Sequence, residues 1–187
     1  WGVIVVTPDG HVRERGGRAA MTTNNKMELT GAIEALEQVK AVPGFIDIYT
    51  DSTYVIQGIT QWIFGWRKRG WRTAEGGEVL NREYWERLSS LTSARGASEI
   101  KWHYVRGHVG TPGNERVDEI ADTFARGGVT PLFDGPLSEY SHDISRLPAD
   151  TSVPARSSGS SASRAKSQAH SYLSLVDGQL VRHATWA

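Results

Sequence analysis

The stretch that decides the fold is Phe45-Ile-Asp-Ile-Tyr-Thr50, followed by Asp51-Ser52. Its apolar and β-branched residues are typical of a strand buried inside a sheet. Pro43-Gly44 breaks the chain before it, and Ser52 is a residue type that caps helices. The run therefore predicts a buried strand followed at once by a helix, with Asp51 at the junction. A carboxylate at the carboxyl end of a central strand points into the crevice where α/β sheets bind ligands.

Strand and helix patterns continue on both sides of this stretch. Residues 3–6 and 11–15 predict a hairpin around Pro8-Asp9-Gly10, and we expect a third strand near residues 18–22. Further helices and a further strand follow from apolar spacing and capping residues. The helices are predicted over residues 27–40, 52–66, 81–94 and 114–125, and the strand over residues 99–105. This order predicts a mixed α/β domain.

Composition limits the function classes. The 187 residues include no cysteine, which excludes disulfides and thiolate metal sites and fits a cytoplasmic location. The formal net charge is zero, and no apolar run approaches the roughly 18 residues of a membrane span. We expect a monomer that is not attached to a membrane. The chain opens at Trp1 inside an apolar run, from which we expect that an N-terminal piece precedes it.

The last third of the chain differs in character. Residues 129–170 are predicted to be a disordered linker, because residues 151–170 carry seven serines and no acid. Residues 172–176 and 179–183 flank Asp177-Gly178, which is a strong hairpin signal. We therefore expect domain 1–128, linker 129–170 and a small hairpin module at 171–187.

Three acids occupy unusual positions. Glu28 lies in the first turn of a predicted helix, Asp51 ends a buried strand, and Asp118 lies within the last predicted helix. Clustered carboxylates raise one another's pKa, and a divalent cation relieves their repulsion. Oxygen ligands of this kind suit Mg²⁺ or Mn²⁺. Taken singly, each acid is also compatible with an ordinary helix-terminal or solvated charge.

Six stretches of the chain together resemble type 1 ribonuclease H, the bacterial form, in order and spacing. They are Thr22-Thr-Asn-Asn-Lys-Met-Glu28-Leu29, Tyr49-Thr-Asp51-Ser52, Gly58-Ile-Thr-Gln-Trp62-Ile, Trp66-Arg-Lys-Arg-Gly-Trp71, Val105-Arg-Gly-His108-Val-Gly110 and Gly113-Asn-Glu-Arg-Val-Asp118-Glu. The resemblance covers residues 1 to about 128. It implies a ribonuclease H-like α/β fold with a mixed five-stranded sheet flanked by helices, whose first, central strand is absent from this chain.

The resemblance also implies an activity. Glu28, Asp51 and Asp118 match three of four carboxylates that hold two Mg²⁺ ions, with Mn²⁺ as a substitute, in an endonuclease acting on the RNA strand of RNA–DNA hybrids. Its products carry 5′-phosphate and 3′-hydroxyl ends, and its role is the removal of RNA primers and hybrids. His108 matches a loop histidine that transfers protons or assists product release. The fourth acid belongs to the absent strand, so the alternative is a catalytically impaired hybrid-binding protein.

The resemblance also implies substrate contacts at the starts of two predicted helices, those over residues 27–40 and 81–94. Asn24 and Asn25 are expected to contact the minor groove and ribose, because only the 2′-hydroxyl distinguishes RNA from DNA. Thr23 and Asn81 match residues that hold a DNA phosphate. Many relatives have an Arg where this chain has Met21, which predicts a weaker phosphate pocket.

A basic and aromatic stretch is the last implied contact. Trp62 is expected to stack on a DNA sugar, and Lys68, Arg69 and Arg72 to contact backbone phosphates, which makes affinity depend on salt. The stretch is equally compatible with a solvated turn over core tryptophans. Residues 171–187 resemble the first hairpin of a small hybrid-binding domain. A purely structural role for the fold would need neither the acids nor this stretch.

Overall fold

The structure is a computed structural model that describes residues 1–106 and 110–154, together with the strand backbones 170–176 and 179–185. His108, residues 155–169 of the predicted linker and the predicted Asp177-Gly178 turn lie outside the described residues.

The first two strands form the predicted hairpin. β1 (Gly2–Val6) pairs antiparallel with β2 (His11–Gly16), and all of β1 is buried. The third strand expected near residues 18–22 is wrong, because residues 17–23 form no strand. The physical reason is local: Met21 has a φ of 51°, in the left-handed region, which interrupts an extended backbone.

The stretch quoted first folds as predicted between two helices. α1 (Asn24–Val39) begins earlier than expected because Thr23 caps it, with the Thr23 hydroxyl accepting from Lys26 N at 3.4 Å. β3 (Ile46–Thr50) is the buried strand. α2 (Thr53–Gln57) follows Ser52, and a π-helical turn (Gly58–Trp62) joins it to α3 (Ile63–Lys68).

The remaining helices and the next strand also match the sequence pattern closely. They are α4 (Arg82–Arg95), β4 (Ile100–Tyr104), preceded by a 3₁₀ turn at Ala97–Glu99, and α5 (Pro112–Ala125). β4 runs parallel to β3. Helix α5 packs directly on β1 at Gly2. A Cβ atom at Gly2 would lie only 2.9 Å from the carbonyl oxygen of Val117 on α5.

Residues 129–154, here named the belt, are ordered against the sheet rather than forming the expected linker. β5 (Asp134–Pro136) pairs antiparallel with β2, and a 3₁₀ turn (Leu137–Glu139) follows. Ile144 is 4% exposed within the main core. The expectation of a linker from residue 129 is therefore wrong for the belt, because apolar side chains of this mostly irregular segment reach the core.

A buried carboxylate fastens the belt. Glu14 on β2 is 0% exposed and accepts hydrogen bonds from Arg116 Nε (2.8 Å), Arg116 Nη2 (2.7 Å), the Tyr140 hydroxyl (2.6 Å) and Phe133 N (2.9 Å). Arg116 belongs to α5, whereas Phe133 and Tyr140 belong to the belt. The hydrogen bonds to Glu14 therefore join the sheet, α5 and the belt.

The C-terminal hairpin forms as predicted but lies in an unexpected place. β6 (His170–Val176) and β7 (Gln179–Thr185) pair with each other, β6 pairs antiparallel with β3, and β7 pairs antiparallel with β1. Among the described residues the sheet has seven strands in the order β4-β3-β6-β7-β1-β2-β5. The hairpin thus pairs with backbone groups of β1 and β3, while the start of a small hybrid-binding module at 171–187 stays a prediction.

Candidate active site

Glu28, on α1, reaches the end of β3. It is 6% exposed and accepts a hydrogen bond from the Ser52 hydroxyl. Ser52 directly follows Asp51, which is 8% exposed. The same Ser52 oxygen accepts from Val55 N at 3.1 Å and so caps α2. One hydroxyl therefore fixes the start of a helix and holds Glu28 at the residue beside Asp51.

Asp118 lies at the same end of the sheet. The registers that β7 makes with β3 and with β1 place Gly2 level with Asp51. Gly2 lies against Val117, the residue before Asp118. Helix α5 therefore carries Asp118 to the end of the sheet at which β3 delivers Asp51.

Asn114 orients the Asp118 carboxylate. Its Nδ2 donates to Asp118 Oδ2 at 3.1 Å, one helical turn away, and Asn114 is 1% exposed. A buried amide that is held by its surroundings restricts the rotamers of the carboxylate it contacts. The sequence alone shows both residues on one helix face but does not reveal the contact.

The three acids do not form a compact group. Among the residues that the structure describes, no three Asp, Glu or His side chains come together as a metal-binding cluster. Glu28 and Asp51 stand close to Ser52, and Asp118 approaches from the other helix. The donor chemistry still fits Mg²⁺, because that ion commonly takes one or two carboxylates together with waters and substrate phosphates.

The pKa of the Tyr104 hydroxyl depends on the charge of Asp51. Burial, and then the negative charge of Asp51, raise the pKa of the Tyr104 hydroxyl above its usual value. The phenol therefore stays neutral and able to donate a hydrogen bond near neutral pH. Val105 N donates to Thr50 O at 3.0 Å, which extends the β3–β4 pairing up to the residue before Asp51.

The start of α1 lies beside the start of α4. Lys26 Nζ lies 5.8 Å from the centre of the Tyr84 ring, and each of these residues follows a predicted phosphate contact by three positions, Thr23 and Asn81 respectively. Thr23 is exposed, whereas Asn81 is half-buried and donates from Nδ2 to the Tyr54 hydroxyl at 3.2 Å. The two helix starts thus form one surface.

A cleft of about 390 Å³ adjoins that surface. Thr23 and Asn24 line it, and so does Arg18, which the sequence pattern had placed on a strand. Asn25 is exposed at the same helix start. Arg18 brings a positive charge to this cleft, whereas Met21 is fully exposed and carries none. The sequence around Arg18 gave no signal that this residue would line a cleft.

Trp62 lies in the π-helical turn at the edge of an aromatic cluster. Its ring centre is 5.9 Å from Tyr54 and 5.8 Å from Trp66, and Trp66 lies 5.3 Å from the fully buried Trp85. Trp62 itself is only half-buried. A π-helical turn is frequent at functional sites, and here it holds one aromatic ring at the surface of the core.

The basic stretch extends from the end of α3. Lys68, Arg69 and Arg72 are all exposed. Arg69 Nε donates to Arg72 O at 3.2 Å, and Arg72 Nη1 donates to Gly76 O at 2.9 Å. These bonds shape the loop and leave its positive charge on the surface.

Comparisons with known proteins identify the family of this chain. A family model described as RNase H matches residues 1–126. The ribonuclease H of Cyanothece sp. is 51% identical over 129 residues, which cover 68% of this chain and 79% of that protein. The ribonuclease H of Cupriavidus metallidurans is 48% identical over 122 residues, covering 65% and 81% respectively.

Solved structures show the same fold. A type 1 RNase H with the type 2 active-site motif superposes with a TM-score of 0.60 at 28% identity, covering 77% of this chain and 71% of that chain. A foamy viral protease–reverse transcriptase in complex with RNA/DNA hybrid gives a TM-score of 0.54 at 16% identity, covering 66% and 19%, and supports the fold alone.

Fold and relatives together define a nuclease of the mixed α/β type. The chain belongs to the ribonuclease H family, and it is an enzyme of that family. The family predicted from the six motifs is thereby confirmed, as is the mixed sheet flanked by helices.

Proposed function

We propose that the protein is an endonuclease that hydrolyses the RNA strand of RNA–DNA hybrids and so removes RNA primers and stray hybrids. The observation that carries the proposal is the placement of Glu28, Asp51 and Asp118 at one end of the sheet in a chain of the ribonuclease H family. The proposed products have 5′-phosphate and 3′-hydroxyl ends.

The proposed cofactor is Mg²⁺, two ions, with Mn²⁺ as a substitute. Glu28, Asp51 and Asp118 would hold the metal through carboxylate oxygens. When bound, the metal supplies positive charge that lowers the pKa of a water molecule and stabilises the leaving 3′-oxygen. His108, two residues after Arg106 in the sequence, is proposed to move a proton to or from the departing product.

The chain's own residues prepare the site. Ser52 holds Glu28, and Asn114 holds Asp118, so neither carboxylate has to search rotamers when substrate arrives. The buried surroundings of Glu28 and Asp51 strengthen their attraction for a cation. Ser52 and Asn114 thus contribute to hydrolysis by holding the carboxylates in place, and a bound ion would assist the reaction itself.

The substrate is proposed to lie across the two helix starts and the basic stretch. Asn24 and Asn25 would contact ribose, and Thr23 and Asn81 a DNA phosphate. Trp62 would stack on a DNA sugar. A second contact set, Lys68, Arg69 and Arg72, would add salt-dependent affinity for the backbone.

The test is cleavage of an end-labelled RNA–DNA hybrid in Mg²⁺ by the full chain. Asp118→Asn is compared with Asp122→Asn, which lies one turn further along α5 and only forms an exposed ion pair with Arg126. We expect Asp118→Asn to lose more than the ~10–100-fold typical of residues that merely support a metal ligand. Asp122→Asn should cleave like the wild type.

The second candidate function is a hybrid-binding protein without useful catalysis. It is favoured by the finding that the described acids form no three-member cluster. Folded wild-type protein that binds hybrid at low salt, yet cleaves none in Mg²⁺ or Mn²⁺, would establish it and refute the endonuclease. Cleavage abolished by Asp118→Asn would exclude it.

A further inference from the structure

A second cleft, of about 460 Å³, opens between the end of β4 and the belt. Tyr104, Arg106 and Thr111 line one side, and Asp150 and Ser152 line the other. Ligand pockets commonly have volumes of about 300–1,000 Å³. The cleft is therefore large enough for one nucleotide.

Two backbone hydrogen bonds fix the cleft beside the candidate active site. Tyr104 N donates to Thr151 O at 2.9 Å, so the belt is attached to the outer edge of β4. On the inner side, Val105 N donates to Thr50 O at 3.0 Å. Because Asp51 follows Thr50, the cleft lies one strand away from the proposed metal-binding carboxylates.

The belt side of the cleft carries a rigid hydrogen-bond acceptor. Asp150 Oδ1 accepts from Ser152 N at 2.9 Å, which holds the carboxylate in a tight local turn. The Ser152 hydrogen bonds, and then the charge of Arg106, keep the pKa of Asp150 below its usual value. An ionised carboxylate only accepts hydrogen bonds, so this wall selects ligands that donate.

The opposite side carries a cation. Arg106 is exposed at the cleft and presents a guanidinium, the group best suited to phosphate oxygens. A simple anion would be repelled by Asp150, and a simple cation by Arg106. The lining instead suits a ligand that carries a negative charge and a hydroxyl donor within one small unit, as a ribonucleotide does.

We propose that this cleft is a subsite for a ribonucleotide that flanks the cleaved bond, with Arg106 on its phosphate and Asp150 accepting from its 2′-hydroxyl. The inference rests on the proposed function and adds a subsite built by the belt. Deoxyribonucleotides lack the donor, so the subsite would contribute to the choice of RNA as the strand that is cut.

The test combines substitutions in protein and substrate. Hybrids are prepared in which one RNA nucleotide at a time is replaced by its 2′-deoxy form, and single-turnover cleavage is measured. We expect one flanking position at which the replacement slows the wild type by about 3–10-fold, the size of one hydrogen bond. In Asp150→Ala that replacement should cost nothing further.

The belt provides a matched control. Asp143 forms the same kind of turn, accepting from Ser145 N at 3.2 Å, and does not line the cleft. Asp143→Ala should keep the wild-type position profile. Thermal unfolding of both variants is measured alongside, so that a general loss of folding in Asp150→Ala is recognised by uniform slowing at every position.

Equilibrium binding separates this inference from the proposed function. The same hybrids are titrated by fluorescence anisotropy without catalytic metal, so the subsite is tested even if no protein cleaves. Arg106→Gln should make the negative slope of log affinity against log salt less steep by about 0.9, the value of one lost phosphate contact. An identical position profile for Asp150→Ala and the wild type, in cleavage and in binding, would overturn the subsite.

Discussion

The buried contact between Glu14 and Arg116 makes the sharpest prediction about stability. Replacing Arg116 by Ala removes two of the donors to a carboxylate that is fully buried, while the Arg116 side chain itself is 11% exposed. Tyr140 and Phe133 N remain as donors. Breaking a buried pair by removing one partner costs about 3–5 kcal/mol of unfolding free energy. We expect a loss near 3 kcal/mol, because the retained donors still satisfy part of Glu14.

The assay is urea unfolding of the full chain followed by circular dichroism. For a protein of this size, ~3 kcal/mol corresponds to a fall in Tm of roughly 6–12 °C. The control is Arg126→Ala on the same helix, whose ion pair with Asp122 is 76% exposed on the arginine side. An exposed pair contributes ~0–1 kcal/mol, so this variant should stay close to the wild type.

The physical reason can be tested separately. If the penalty comes from an uncompensated buried charge, neutralising that charge should restore stability. The double variant Arg116→Ala with Glu14→Gln should therefore be more stable than Arg116→Ala alone. The reasoning is refuted if Arg116→Ala and Arg126→Ala lower the unfolding free energy equally. It is also refuted if the double variant is less stable than Arg116→Ala by the full amount that Glu14→Gln costs alone.

Other consequences can be measured with single variants. Gly58→Ala should lower the unfolding free energy by at least ~1–3 kcal/mol, because its Cβ would lie 2.0 Å from the Trp85 ring; chemical denaturation checks this. Burial alone would raise the pKa of Glu14, but hydrogen bonds from Arg116, Tyr140 and Phe133 N lower it below 4.5. Since the unfolded state then takes up protons first, this contribution is present above about pH 4.5 and is lost as the pH falls through the folded-state pKa. Glu14→Gln should accordingly flatten the acid side of the stability profile. Ser52→Ala should reduce cleavage ~10–100-fold at limiting Mg²⁺, with recovery as Mg²⁺ is raised; a loss that no Mg²⁺ concentration reverses would contradict a positioning role.

Much of the fold was predictable because local signals agree with tertiary packing. The buried run before Asp51, the capping residues Thr23 and Ser52, and the Asp177-Gly178 hairpin signal each identify an element from neighbouring residues alone. The misplaced third strand shows the limit of such signals. The left-handed φ of Met21 interrupts the extended backbone, and a methionine gives no sequence signal for that conformation.

The belt and the hairpin position were not predictable for a related reason. Phe133, Tyr140 and Ile144 reach the core from a segment that forms only a three-residue strand and a 3₁₀ turn, so no long regular element identifies them in the sequence. Glu14, which accepts hydrogen bonds from Phe133 N and the Tyr140 hydroxyl, is more than a hundred residues away from both in sequence. In the candidate site, the three acids are a prediction from motif and spacing, whereas the contacts of Ser52 and Asn114 become visible only in the structure.

The belt also protects the molecule from its own copies. An unpaired sheet edge is a template for strand addition by another chain, and proteins avoid it with short, charged or proline-containing edges. β5 is three residues long and places Asp134 and Pro136 along β2, while Thr151 occupies a hydrogen-bonding position on β4 at the other side. A chain that ended at residue 128 would therefore leave both margins of the sheet open. Its characteristic failure would be concentration-dependent association into aggregates.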